Sequence, residues 1–242
     1  MWLPGRDPAE VAPEKLTGLV PPVRTFEGFA PEAFEALARL KAHPHIEQYR
    51  QEKSALRRYV QEPFRRLRDD LVVNWVLPSA LALETERNVF SRFLKNDFGA
   101  GGCHAHYWMA FYRQGRRRLA DVQLIVSLHF DGLRVGVYAG EPARAVWRAV
   151  RAHLPEAGVS VLESIIPLLQ IKIYPRKGEA CSIGGEDDLQ RLSVLLRGAE
   201  GIWAGRSLSR TAVLRQGPEV VDWILETWRL AWPLYRFCCA VS

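Results

Sequence analysis

Apolar residues recur along this chain at two periods, and the change between them divides it. After Pro31, placed as a first helical residue, Phe34, Leu37 and Leu40 are spaced for one helix face until His43-Pro44 stops the run. A second helix follows, with Ile46, Tyr49, Leu56, Tyr59, Val60, Phe64, Leu67 and Leu71 on one side. Arg50, Lys53, Arg57, Arg65 and Arg68 take the other side, and Pro63 predicts a kink or a division.

From Tyr107 the pattern alternates. Tyr107 to Tyr112, Val122 to Leu128 and Leu133 to Tyr138 are joined by the turn-like Gln114-Gly115-Arg116-Arg117-Arg118 and by Asp131-Gly132. They predict a three-stranded antiparallel meander. Beyond it the pattern predicts helices over Ala143 to Leu154 and Glu186 to Leu196, a strand within Ile165 to Tyr174, and a short strand Ile202-Trp203-Ala204. A last helix opens at Pro218 and closes at Pro233, leaving Phe237 to Ser242 as an exposed end. The expected class is α+β, an antiparallel meander sheet flanked by N-terminal and C-terminal helices. Residues 1–25, with five prolines, read as an extended arm, and 26–242 as a single α+β domain with a subdivision near residue 155 left open.

Composition narrows the class. A chain of 242 residues, 48% hydrophobic and 25% charged, is an ordinary globular protein. The uncharged stretch Leu71 to Leu83 is thirteen residues interrupted by Asn74 and Pro78, short of the roughly 20 that span a membrane. The start has no export pattern, and Cys238 and Cys239 are adjacent, so a reducing, cytoplasmic location without membrane contact is expected.

The net charge of +6 is unevenly placed: Pro44 to Arg118 carries fourteen Lys or Arg against eight Asp or Glu, while the rest balances. Such a local excess is the footprint of a protein that meets polyanions, although solvated helix faces produce it too. The densest basic and aromatic cluster selects Arg92, Lys95, Asn96, His104, His106, Arg113, Arg116, Arg117 and Arg118 as DNA-binding candidates. Tyr107, Tyr112 and Trp203 are candidates for stacking on an extruded base, with Trp108 read as core.

Two likenesses add to this. Phe26-Glu27-Gly28-Phe29-Ala30-Pro31-Glu32-Ala33-Phe34, Leu37, Leu40, Tyr49, Pro63 and Leu67 resemble the start of a bacterial family of unknown function, in which a Phe-Gly-Phe start leads into two helices and a sheet. Leu83-Glu84-Thr85-Glu86-Arg87, Ser91-Arg92, Leu94-Lys95-Asn96-Asp97, Trp108-Met109-Ala110-Phe111-Tyr112 and Asp121-Val122-Gln123-Leu124 are similar to domains found N-terminal to McrB-type AAA+ GTPases, as is Trp232-Pro233-Leu234-Tyr235. The resemblance implies a target-recognition module of modification-dependent restriction that reads DNA, modified bases included. It would serve an AAA+ GTPase motor in the same full-length protein or as a partner. The stretch Asn88 to Lys95 departs from the Arg-Asp and Ser-Lys-Asp-Lys runs of the unknown-function family, and no G-x-x-x-x-G-K-[ST] phosphate loop occurs.

Chemistry is less well supported. His104 and His106, after Gly99-Ala100-Gly101-Gly102-Cys103, would point the same way on a strand, but no zinc-type spacing accompanies them. Glu163 with Gln170-Ile171-Lys172 only faintly suggests a nuclease. The expectation is a nonenzymatic DNA-binding recognition module without a cofactor, metal or catalytic residues. The alternatives are a protein-interaction module docking a partner subunit and a divergent metal-dependent nuclease.

Overall fold

A computed structural model describes residues 5–141, 143–176, 179–183, 192 and 194–242. Helix α1 (Pro31–Ala42) begins at the expected proline. α2 (Ile46–Ala55) and α3 (Glu62–Leu71) form one helical run, because a π-helical segment, Leu56–Gln61, joins them and a second, Val72–Val76, follows. Pro63 therefore neither divides nor ends the run: it is the second residue of α3, and the wider π turn before it accommodates the missing donor.

The meander is present as β2 (His106–Arg113), β3 (Gln123–His129) and β4 (Gly132–Gly140), after the two-residue β1 (Leu83–Glu84). The residues linking β3 to β4 are Phe130 and Asp131, one position earlier than the spelling suggested. Helices α4 (Arg144–His153) and α5 (Val159–Ile165) lead to β5 (Gln170–Pro175), β6 (Cys181–Ile183) and β7 (Ala199–Ser209). Every pairing is antiparallel, in the order β1-β2-β3-β4-β7-β5-β6. The expected short strand at Ile202 is thus an eleven-residue strand inside the sheet. Gly201 and Gly205 break its hydrophobic alternation; Gly205 lies opposite Gly136, where a Cβ would come within 2.0 Å of the Val135 carbonyl oxygen. The expected helix from Glu186 to Leu196 lies largely outside the described residues, within which Leu192 and Leu196 are buried.

Helix α6 (Arg210–Gln216) precedes the long α7 (Val220–Ala240). α7 does not stop at Pro233. Trp228, Ala231 and Trp232 before that proline and Leu234, Tyr235 and Cys238 after it are all fully buried, and this burial offsets the roughly 3 kcal/mol that an internal proline costs. The end is accordingly not exposed: Cys238 and Cys239 are core residues. Met109, Val126, Val135, Ala204 and Ile171 point from one face of the sheet into the helical layer, where Phe111 meets Trp228 and Tyr107 meets Phe64. The N-terminal arm has two short 3-10 turns and is fastened to α7 by Trp232 Nε1 donating to the Val11 carbonyl at 2.8 Å. No described helix is long and apolar enough to cross a membrane.

Candidate nucleic-acid interface

At the β1–β2 edge of the sheet lies a groove of about 1470 Å³, lined by Arg87, Arg92, Arg116, Arg117 and Arg118 together with Glu84, Glu86 and Tyr112. Two loops build it. In the first, Glu84 Oε1 accepts the backbone N–H groups of Glu86 at 3.0 Å and Arg87 at 2.9 Å, a local turn that presents Arg87. The Tyr112 hydroxyl donates to the Arg87 carbonyl at 2.7 Å and pins that loop to β2.

The second loop follows β2. Gly115 at φ +79° reverses the chain, and Arg118–Ala120 forms a 3-10 turn. Arg113 and Asp121 close it at its base: the Asp121 carboxylate accepts the Arg113 backbone N–H at 3.0 Å and its Nε at 3.1 Å. Arg113 Nη1 also donates to the Cys239 carbonyl at 3.0 Å and the Ser242 carbonyl at 3.1 Å. Arg113 is therefore a correction to the list of DNA-binding candidates. At 7% exposure it is a buried clamp, and its hydrogen bonds to Asp121 hold its guanidinium charged against the cost of burial.

Arg116 and Arg117 are exposed, as a loop tip requires, but Arg118 is half-buried. Its guanidinium lies 4.5 Å from the centre of the Trp108 ring and donates to the Phe90 carbonyl. Burial lowers its pKa from the usual arginine value, and its Nε is buried without a hydrogen-bond partner.

The stacking candidates are corrected too. Tyr107, 5% exposed, packs in the helical layer against Phe64, Phe90 and Phe93, whereas Trp108, read as core, is half-buried on the other face. The alternation was right and its phase reversed. Tyr112 is 2% exposed, and Trp203 is 6% exposed, its ring lying over Gly205 and beneath the Lys172 ammonium. In these positions none of the three offers an open ring face.

Lys95 and Asn96 are exposed on a separate loop at the opposite end of β2, closed by Lys95 N–H to Gly102 O at 2.9 Å and by Gly102 N–H to the Asp97 carboxylate at 2.7 Å. Its tip, Phe98, is wholly exposed. His104 is on the same side, 5.3 Å between ring centres from His106, which stacks on His129 at 5.0 Å. Burial first, then neighbouring cations, lowers the pKa of His104, brings His106 down to about 4 and His129 to about 3, so this cluster stays neutral near pH 7.

Among the described residues no group of three or more His, Cys, Asp or Glu side chains could hold a metal. Glu163 is exposed on α5, in the helical layer, while Lys172 projects from the opposite face of the sheet, so the faint nuclease arrangement is not assembled.

Arg87 in the groove and Arg134, Tyr138 and Tyr174 on the sheet were not among the DNA-binding or stacking candidates, and Lys172 was considered only beside Glu163. The signal was present: Lys172 interrupts Ile171 and Ile173, and Arg134 interrupts Leu133 and Val135, each marking the phase that faces away from the core. No protein-family model matches the chain, and a search of curated proteins finds no match.

Proposed function

We propose that this protein is a nonenzymatic DNA-binding recognition module whose groove at the β1–β2 edge holds the phosphate backbone. One observation carries the reading: Arg87, Arg92, Arg116, Arg117 and Arg118 converge on a single groove, and none makes an ion pair among the described residues. Several arginines elsewhere are matched, as Arg24 is with Asp222, Arg39 with Glu52 and Arg206 with Glu226, and those without an ion pair among the described residues, such as Arg50 and Arg58, do not line this groove. Five like charges in one concavity repel one another, and a polyanion relieves that repulsion while releasing its counterions. Glu84 and Glu86 also line the groove and offset part of this charge, which leaves an excess of three positive charges. The likeness to McrB-type domains adds an AAA+ restriction motor as the machine such a module would serve.

The test is fluorescence anisotropy with a short labelled duplex over a range of salt. The combined Arg92→Ala, Arg116→Ala and Arg117→Ala variant is expected to weaken binding to all sequences alike and to flatten the log–log salt slope by about 0.9 per lost contact. Wild-type affinity and slope in that variant would overturn the reading.

A further inference from the structure

The helices lie against one face of the sheet, and the opposite face carries a different set of side chains. By register, Trp108 is opposite Ser127, Ser127 opposite Arg134 and Arg134 opposite Ser207; in the parallel row Tyr138 is opposite Trp203, and Trp203 opposite Lys172. Between these rows Gly136 faces Gly205, over which the Trp203 ring lies. Tyr174 is exposed beside Tyr138, their ring centres 6.1 Å apart.

We infer that this face is a stacking platform for the unpaired bases of a single-stranded nucleic acid, with its phosphates held by Lys172 and Arg118. The inference deepens the groove reading and rests on it for the anchoring of the strand at one end. Three observations support it beyond the aromatic rings. The first is charge: among the described residues no carboxylate projects from this face on β2, β3, β4 or β5, and the one on β1, Glu84 opposite Tyr112, lies at the far edge beside the groove arginines. The acids at its rims are paired, Asp131 with Arg134 at 2.9 Å and Glu141 with Arg144 at 3.4 Å. The second is continuity, since Arg118 lines the groove and also caps Trp108 on the platform. The third is composition: Ser127, Ser207, Gln170 and the neutral His106 and His129 alternate with the aromatics. A face that docks an apolar protein surface would be continuously apolar; the rings of Tyr138 and Tyr174, interleaved with hydrogen-bonding groups and cations, suit base edges, base faces and phosphates.

The experiment compares labelled oligothymidylate, the same strand with every base removed, oligouridylate, and a duplex, all at one salt concentration. Wild type is expected to bind oligothymidylate about 10-fold or more tighter than the abasic strand. The combined Tyr138→Ala and Tyr174→Ala variant, verified as folded by its thermal melt, is expected to lose roughly 5- to 100-fold on oligothymidylate and little on the abasic strand or the duplex. Oligouridylate bound equally well widens the ligand to RNA; weaker binding assigns DNA.

Equal affinity of wild type for the abasic and normal strands overturns the platform even when the groove variant behaves as expected. Loss through the tyrosines alone, with the groove arginines immaterial, supports the platform and overturns the groove. No binding to any strand overturns both. Photocrosslinking of a bromouridine-substituted strand to wild type needs no variant: crosslinks in β4 or β5 support the platform, and crosslinks confined to the groove loops overturn it.

Discussion

Arg113 and Arg116 are three residues apart, and the fold treats them oppositely. Arg113 is enclosed by Asp121, the last turn of α7 and the chain end. Arg116 and its neighbour Arg117 stand in water with no ion-pair partner among the described residues. The buried cation holds the loop shut, and the exposed ones are what the loop displays. Positive charge here is thus of two kinds, structural and available, and only the second can meet a ligand.

The harshest way to break this comparison is at Arg113. Arg113→Ala leaves Asp121 buried, 1% exposed, without its partner, and removes the donors to Cys239 and Ser242. A loss of about 3–5 kcal/mol is expected, read by chemical denaturation. Asp121→Ala is expected to cost a similar amount, and the double variant clearly less than the sum. Additive losses would show that the two residues act independently and remove the clamp.

His106 and His129 sharpen it from the other side, because here burial keeps charge out. Their folded pKa values lie below the roughly 6.5 of an unfolded histidine, so the unfolded chain binds protons more readily as the pH falls. The stability present above about pH 6.5 is expected to be lost as the pH falls toward about 4 and about 3. Both rings are only partly buried, and screening reduces the combined effect to about 2 kcal/mol between pH 7 and pH 5. His106→Gln together with His129→Gln is expected to flatten that slope in urea melts at several pH values; an unchanged slope assigns it to other groups.

The same contrast explains what was legible in the sequence. The meander was, because β2, β3 and β4 alternate and the segments are close in sequence. β7 was reduced to three residues because Gly201 and Gly205 carry no side chain to mark the pattern, and their role depends on contact with β4, more than sixty residues earlier in the chain. Pro233 misled because a local rule assigns it a helix end, while buried residues on both sides carry α7 past it. At the site, the basic cluster was visible as composition. The fate of each member was not, since Arg113 is decided by Asp121 and by Ser242, which is 129 positions away. Alternation likewise separated Tyr107 from Trp108 but did not say which faced the helices.

The mildest expected effect on folding belongs to the available charges. Arg116→Ala with Arg117→Ala removes side chains that are exposed and donate to no acceptor among the described residues, so the unfolding midpoint is expected to stay where it is. What changes is the response to salt: a protein making fewer phosphate contacts releases fewer counterions, and each lost contact takes about 0.9 from the slope of log affinity against log salt. Arg113→Lys provides the complementary measurement. Lysine keeps the charge but cannot reproduce the forked contacts to Asp121 and the chain end, so stability is expected to fall while the salt slope of the remaining folded protein is retained. If Arg113→Lys flattened the slope and the Arg116→Ala, Arg117→Ala pair did not, the assignment of structural and available charge would be reversed, and the phosphate site would lie at the base of the loop instead of its tip.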